Sequence, residues 1–522
     1  MAKKTHIMSD ETGRALVEAV IGLGARTVPI YDEALGYYTD SSIASWLGGM
    51  RDGKSYGIKV PKGSAVACTK TSANEGIAVP TPGIVGRPAV DPYIGLGPFI
   101  HVDVNATVDV DGKAHVVAID GDGRYDPHGK DVFVLTPTLY TVEVEDSSNI
   151  TIIISDTRRS DMSVQPGGLL PDGTVRPFML YAKYPLSTDT DGNPRSVTGA
   201  QVKRFVSHDI GVSLCKTAST GYSFRNTADD WYVKTMFMMK YATKNSQAIF
   251  AGCTGYEVQC SPTVAETGQT RVIIAKDKAD ALIVGSSVIL GTHAPSSGTA
   301  NNDRSQSYNY DIVSGACITR KETYDSSNVA IYLDVSKSFD TKTTYLLSTI
   351  PWACGACDDV EGDGSPTSCT DSKQPYKLQG IELAHGMYEV IGNILLNSTG
   401  SGWDVYVNHD TKAEKSGELA DGAELVGHLA ASTADTSVYG LYPKTVGGFM
   451  LQQGSGASTT TGVCDQIWKN SDTATGLREW LSLGSLWFRG NAGLFCAFCN
   501  DGTGNVWWPF GSRLSANGRS KG

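Results

Sequence analysis

The sequence predicts a mainly β, multidomain protein, and three observations carry that prediction. Glycine reaches 58 residues in a chain of 522, with 40 % hydrophobic and 19 % charged residues, a turn-rich globular composition. Residues 100–111, IHVDVNATVDVD, alternate strictly, with Val102, Val104, Ala106, Val108 and Val110 on one face and His101, Asp103, Asn105, Thr107 and Asp109 on the other. Near the C-terminus, glycines 484, 490, 493, 502, 504 and 511 interrupt every apolar run, which excludes a long amphipathic helix and favours short strands joined by loops. The length suits roughly three or four domains.

The net charge of -11 argues against nucleic acid as the main partner, because a phosphate-binding surface needs an excess of Lys and Arg. The opening MAKKTHIMSDETG lacks the apolar stretch of a secretory signal, and no apolar run approaches the ~20 residues of a membrane helix, so synthesis in the cytoplasm without membrane insertion is expected. Eleven cysteines over so long a chain do not read as a disulfide framework.

In chain order, residues 9–23 place Ala15, Leu16, Ala19, Val20 and Leu23 on one helical face behind a Ser9 or Asp10 cap. That helix docks on its own domain or pairs with copies of itself. Residues 1–48 are assigned as a helical attachment segment, and 49–225 as a β-rich domain. In the latter, the strand at 100–111 turns at Asp111-Gly112 into AHVVAID, and further strands are expected at 132–136 and 149–155. Asp120, Asp122 and Asp126 are close enough in sequence to suggest a calcium loop, but they lack the register and terminal Glu of an EF-hand, so a solvated turn is preferred and no metal is assigned.

Residues 226–372 are expected to hold a buried helix capped by Asp229 and a second β-rich unit. Trp231, Val233, Met236, Phe237, Met239 and Tyr241 leave that helix little polar face. Runs at 271–275, 281–291 and 328–335 read as strands around a polar loop at 296–307. Cys354 and Cys357 form a CxxC without the second ligand pair that zinc requires. The stretch EGDGSPTSCTDSKQP reads as a linker, which places a boundary near residue 372.

The last segment, 373–522, concentrates aromatics. It contains Gly380-Ile381-Glu382 with Tyr388-Glu389-Val390, then Gly484-Ser485-Leu486, Asn491-Ala492-Gly493-Leu494-Phe495 and Gly511-Ser512-Arg513-Leu514-Ser515. In this order the blocks resemble the C-type-lectin-fold domains of phage proteins diversified by retroelements, a family that includes the phage major tropism determinant. The resemblance covers roughly the last 150 residues, and the MSDETG start and the block at 231–253 are similar to structural proteins of gut phages. It implies an α+β C-type-lectin-like domain at the end of a tail receptor-binding protein of the virion. The implied partners are a host cell-surface receptor, protein or glycan, other virion proteins and two further copies in a homotrimer.

In that family, adenines of a template are rewritten, so certain positions vary while others hold the fold. Carried over, Phe488, Arg489, Asn491, Phe498, Asp501, Asn505, Val506, Pro509 and Phe510 correspond to the variable, receptor-binding positions. Trp487, Trp508 and Arg513 correspond to scaffold, with Arg513 a buried donor to carbonyls. Exposed Phe488, Arg489, Phe498 and Phe510 would then anchor the receptor.

No catalytic residue and no cofactor is assigned. Two enzyme readings compete: a formylglycine-generating-type thiol site at Cys496 and Cys499, which lacks an adjacent base, and a depolymerase using acids such as Glu382, Glu389 and Asp404. A structural baseplate or head-decoration role is the third alternative.

Overall fold

The computed structural model describes residues 28–217, 221–292, 304–471 and 473–518. The expected helix at 9–23 and much of the polar loop at 296–307 lie outside the described residues. The described residues form a mainly β protein with four larger sheets, three of which share a core with one helix, Thr227–Tyr241.

That helix is buried on every side, including Asp229, Asp230, Lys234 and Lys240. Its cap is Asn226 rather than the expected Asp229. Asn226 accepts from the Ala228 and Asp229 amides while the Asp229 carboxylate accepts from the Asn226 amide, a reciprocal capping box. The burial agrees with the little polar face that the helix sequence leaves. Its charges are tolerated because each has a partner: Lys234 lies 2.6 Å from Asp230, and Lys240 lies 2.7 Å from Asp91.

The first sheet runs Ser163–Val164, Tyr140–Glu145, Asn149–Ser155, Ser55–Pro61, Thr69–Ser72. The second begins with the predicted hairpin, Val102–Val108 antiparallel to Ala114–Ile119, its turn closed by the Gly112 amide on the Asp109 carbonyl. Here the alternation misleads in two places. Val110 lies beyond the strand and is exposed, while Asn105 is buried, because its amide donates to the carbonyls of Asp126, Lys130 and Asp131 and its Oδ1 accepts the Asp126 amide. Backbone satisfaction outweighs the side-chain pattern there.

The same sheet continues through Val132–Thr136 and Met179–Ala182 to Leu514–Ser515 and Ser223–Phe224. Its fifth strand therefore comes from the end of the chain, so the blocks assigned as 49–225 and 373–522 share a sheet. The third sheet combines Gln259–Cys260, Leu346–Thr349, Ser287–Gly291, Val313–Thr323, Asn328–Leu333 and Arg271–Ala275. Within the expected strand at 281–291 only Ser287–Gly291 pairs as a strand, and Ala281 closes a short helix, Lys276–Ala281. The stretch expected as a linker is pinned instead: Asp363 is buried, and Gly364 and Lys377 exchange backbone hydrogen bonds.

The fourth sheet positions the site. Its order is Glu424–Ala430, Gly402–Val407, Tyr388–Ser398, Leu477–Leu483, Gly493–Cys499, Ile467–Lys469 and Thr436–Val438, with Phe510–Gly511 added in parallel beside Tyr388–Glu389. Among the described residues no helix is long and apolar enough to cross a membrane.

Candidate functional site

The scaffold of the C-terminal segment is a buried ion cluster. Arg513 donates from Nε and Nη2 to the two oxygens of Glu389, at 2.7 and 2.6 Å, and from Nη1 and Nη2 to the carbonyls of Ala182 and Glu382, at 3.0 and 2.7 Å. The expected role of Arg513 as a carbonyl donor is therefore present, together with a bidentate carboxylate that the sequence did not suggest. Arg225 reaches the same Glu389 at 2.6 Å and Asp230 of the central helix at 3.0 Å. Burial alone would raise the Glu389 carboxyl, but the Arg513 and Arg225 guanidiniums outweigh it and hold it down at about 2.

The two glycine-containing motifs lock together. A Cβ at Gly484 would lie 2.6 Å from the Ala492 methyl, and one at Gly493 would lie 2.3 Å from the Asp465 carboxylate. Gly493 has φ +129°, a region only glycine enters freely. Past this turn, the Leu494 amide donates to the Ser246 hydroxyl and the Phe495 amide to Asp465, each at 2.9 Å, which starts the strand that carries Phe498.

On this scaffold sits an aromatic face. Tyr388 is buried at its centre, with the rings of Phe498, Phe488, Phe510 and Trp487 at 5.2, 5.6, 5.9 and 6.2 Å. Trp487 in turn contacts Trp507 at 5.5 Å and Trp508 at 5.2 Å. Trp487, Phe488, Phe498 and Trp507 are each half-buried, so four rings show part of their surface side by side. Around them Arg489, Asn505 and Val506 are exposed, and Asn491 and Asp501 half-buried.

No protein-family model matches this sequence, and a comparison with curated proteins gives no match. The site is therefore read from its own geometry. Of the nine positions assigned to receptor contact, seven keep part of their surface exposed. Pro509 and Phe510 do not: both are buried, because the Tyr388 amide donates to the Pro509 carbonyl at 2.8 Å and Phe510 begins a strand beside Tyr388. Phe510 is thus a support and not an exposed anchor. Trp508, assigned to scaffold, is fully buried under the Arg304 guanidinium, whereas Trp487 is only half-buried. Trp507 and Tyr439 join the face without having been assigned. Tyr439 donates its hydroxyl to the Asn491 Oδ1 at 2.9 Å, a contact across 52 residues that no local spacing reveals.

Arg489, next to Phe488, has φ +51°, and its amide donates to the Thr254 carbonyl at 2.6 Å. The left-handed backbone costs a non-glycine residue on the order of 1 kcal/mol. Arg489→Gly is expected to leave the fold intact and to stabilise it by about 0.5 kcal/mol, read as a higher denaturant midpoint.

The residues of the enzyme alternatives have other occupations. Cys496 and Cys499 are buried, and burial pushes both thiols well above the ordinary range. Glu382 is buried and accepts the amides of Gly355 and Cys357, which fixes the CxxC loop. Asp404 pairs with His428 at 2.8 Å. Asp122 is held by Arg124 at 2.7 Å and by the Tyr38 hydroxyl at 2.6 Å, so the aspartates at 120–126 do not converge on a cation. Among the described residues no group of three or more His, Cys, Asp or Glu could hold a metal.

A cavity of about 480 Å³ lies elsewhere, lined by Asn226, Thr227, Asn393, His409, Glu424 and Gly448. Asn226 and Asn393 are committed to the cap and to the Thr227 hydroxyl, and His409 pairs with Glu424 at 3.0 Å.

Proposed function

We propose that this chain is a phage virion protein of the tail that binds the bacterial surface through the aromatic face of a C-type-lectin-like C-terminal domain. It acts without catalysis and is displayed in several copies, as a homotrimer held among other virion proteins. The observation that carries the reading is the convergence of three half-buried rings, Trp487, Phe488 and Phe498, on Tyr388, with Trp507 beside Trp487 and Arg489 next to Phe488. Large rigid side chains and Arg, ringed by polar groups, give contact area at low rotamer cost. The glycine-locked turn beneath them also fits a segment whose surface residues are rewritten while its backbone stays fixed. Weak single contacts on several copies would add by avidity.

The test uses the full chain and host cells. Replacing Phe488, Arg489 and Phe498 together with Ala is expected to weaken cell binding about 100-fold or more, if each contributes about 1 kcal/mol. A folded triple variant that binds as well as the parent would defeat the proposal. Diversification has its own test in the adjoining DNA. A near-copy of the 484–515 coding region with Asn codons at the variable positions, beside a reverse transcriptase gene, is the expected finding.

A further inference from the structure

Beneath the aromatic face lies a carboxyl with no cation of its own. Asp465 is fully buried. Its Oδ2 accepts the Ser246 hydroxyl at 2.8 Å and the Phe495 amide at 2.9 Å, while its Oδ1 has no hydrogen-bond partner. The cation that faces it, Lys234, is committed to Asp230 at 2.6 Å and stands 5.6 Å from the Phe495 ring centroid. The other titratable groups facing it are Tyr376, Tyr439 and the thiols of Cys464 and Cys496, and none supplies a positive charge at neutral pH.

Everything this carboxyl touches belongs to, or holds, the segment that bears the face. The Phe495 amide opens the strand of Phe498. The Ser246 hydroxyl that donates to Asp465 also accepts the Leu494 amide. Gly493 packs against the carboxylate with no room for a Cβ. The next residue, Gln466, donates its amide to the Asn491 carbonyl at 3.1 Å, and its carbonyl accepts the Ala497 amide at 2.9 Å. A charge appearing on Asp465 would therefore be felt first at residues 491–497.

We propose that Asp465 is a pH-responsive latch for the aromatic face: the neutral carboxyl holds the Gly493–Phe495 turn closed, and its ionisation loosens that turn together with Arg489, Asn491 and Phe498. Burial pushes this carboxyl up to about 7, against the Phe495 amide, the Ser246 hydroxyl, Lys234 and the Gln247 side chain, which favour the charged form. The sign follows from linkage. An unfolded Asp ionises near about 4, so the folded turn loses stability as pH climbs from there through about 7 and loses no more above it. The effect on receptor binding rests on the reading of the face as a binding surface, but the latch itself can be tested without any receptor.

The experiment is hydrogen–deuterium exchange of the full chain, corrected for intrinsic exchange, between about pH 5.5 and about pH 8.5. Protection of peptides spanning residues 487–499 is expected to fall about tenfold across neutrality, while the helix Thr227–Tyr241 stays unchanged. Asp465→Asn should abolish the fall. Ser246→Ala removes a bond that favours the ionised form, so it should move the midpoint to higher pH and serves even if the Asn variant does not fold. A flat profile in the parent overturns the proposal, as does an Asn or Ala variant that falls at the parent's midpoint. Loss of cell binding with an intact latch would instead concern the function of the face.

Discussion

Arg513→Met is expected to destabilise the protein by about 3–5 kcal/mol, because it leaves a buried carboxylate facing one guanidinium where it had two. Glu389 would keep Arg225 but lose both short bonds from Arg513, and the carbonyls of Ala182 and Glu382 would lose their donor. Urea unfolding followed by tryptophan fluorescence checks the magnitude. Arg513→Lys should rescue little, since one ammonium cannot reproduce a planar fork aimed at a carboxylate and two carbonyls. An unchanged midpoint in either variant would show that the cluster does not hold the fold. The pH dependence follows from Glu389. Its folded value of about 2 lies below the ordinary glutamate value near 4.3, so its contribution is present above about 4.3 and is lost as pH falls toward 2. Acid should therefore weaken the parent more than the Met variant.

The second large effect is expected at Gly493. Gly493→Ala places a methyl 2.3 Å from the Asp465 carboxylate in a backbone conformation with φ +129°. Strain of about 1–3 kcal/mol from the dihedral adds to the displacement of a buried carboxyl from its bonds with Ser246 and the Phe495 amide. A loss of about 3 kcal/mol or more is expected, read as a lower thermal midpoint. Gly490→Ala, three residues earlier, is the control. Gly490 is exposed, with nothing within 4 Å of a built Cβ, and its substitution should be nearly silent. Equal loss from both changes would remove the argument that the turn locks the face.

The sequence disclosed what periodicity and local chemistry encode. The strands at 132–136 and 149–155, the 102–119 hairpin and the buried Met-rich helix all have sequence patterns that match their structures. It disclosed less where partners are distant. Asp229 was expected as the cap, but the cap is Asn226, and Asp229 sits at the third helical position, where its carboxylate bonds back to the Asn226 amide. At the site, Arg513 and Trp508 were recognisable as scaffold, yet Phe510 read as an anchor because nothing in its neighbourhood shows that it lines up beside Tyr388, over 100 residues away. Tyr439 and Asp465 were invisible for the same reason. Each matters through a contact made in three dimensions with residues 491–495, and neither lies in a run with a period of its own.

The strand Leu514–Ser515 sets the order in which the chain can be finished. Ser515 pairs with both Tyr181 and Ser223, so neither of those edges meets its neighbour until Ser515 itself has left the ribosome, about 290 residues after Ser223. At ordinary rates of synthesis the wait is on the order of half a minute, long enough for an open edge to recruit a chaperone or a neighbouring chain. A separately expressed piece spanning residues 373–522 would have the converse problem, carrying a strand and an arginine whose partners Tyr181 and Ala182 it lacks.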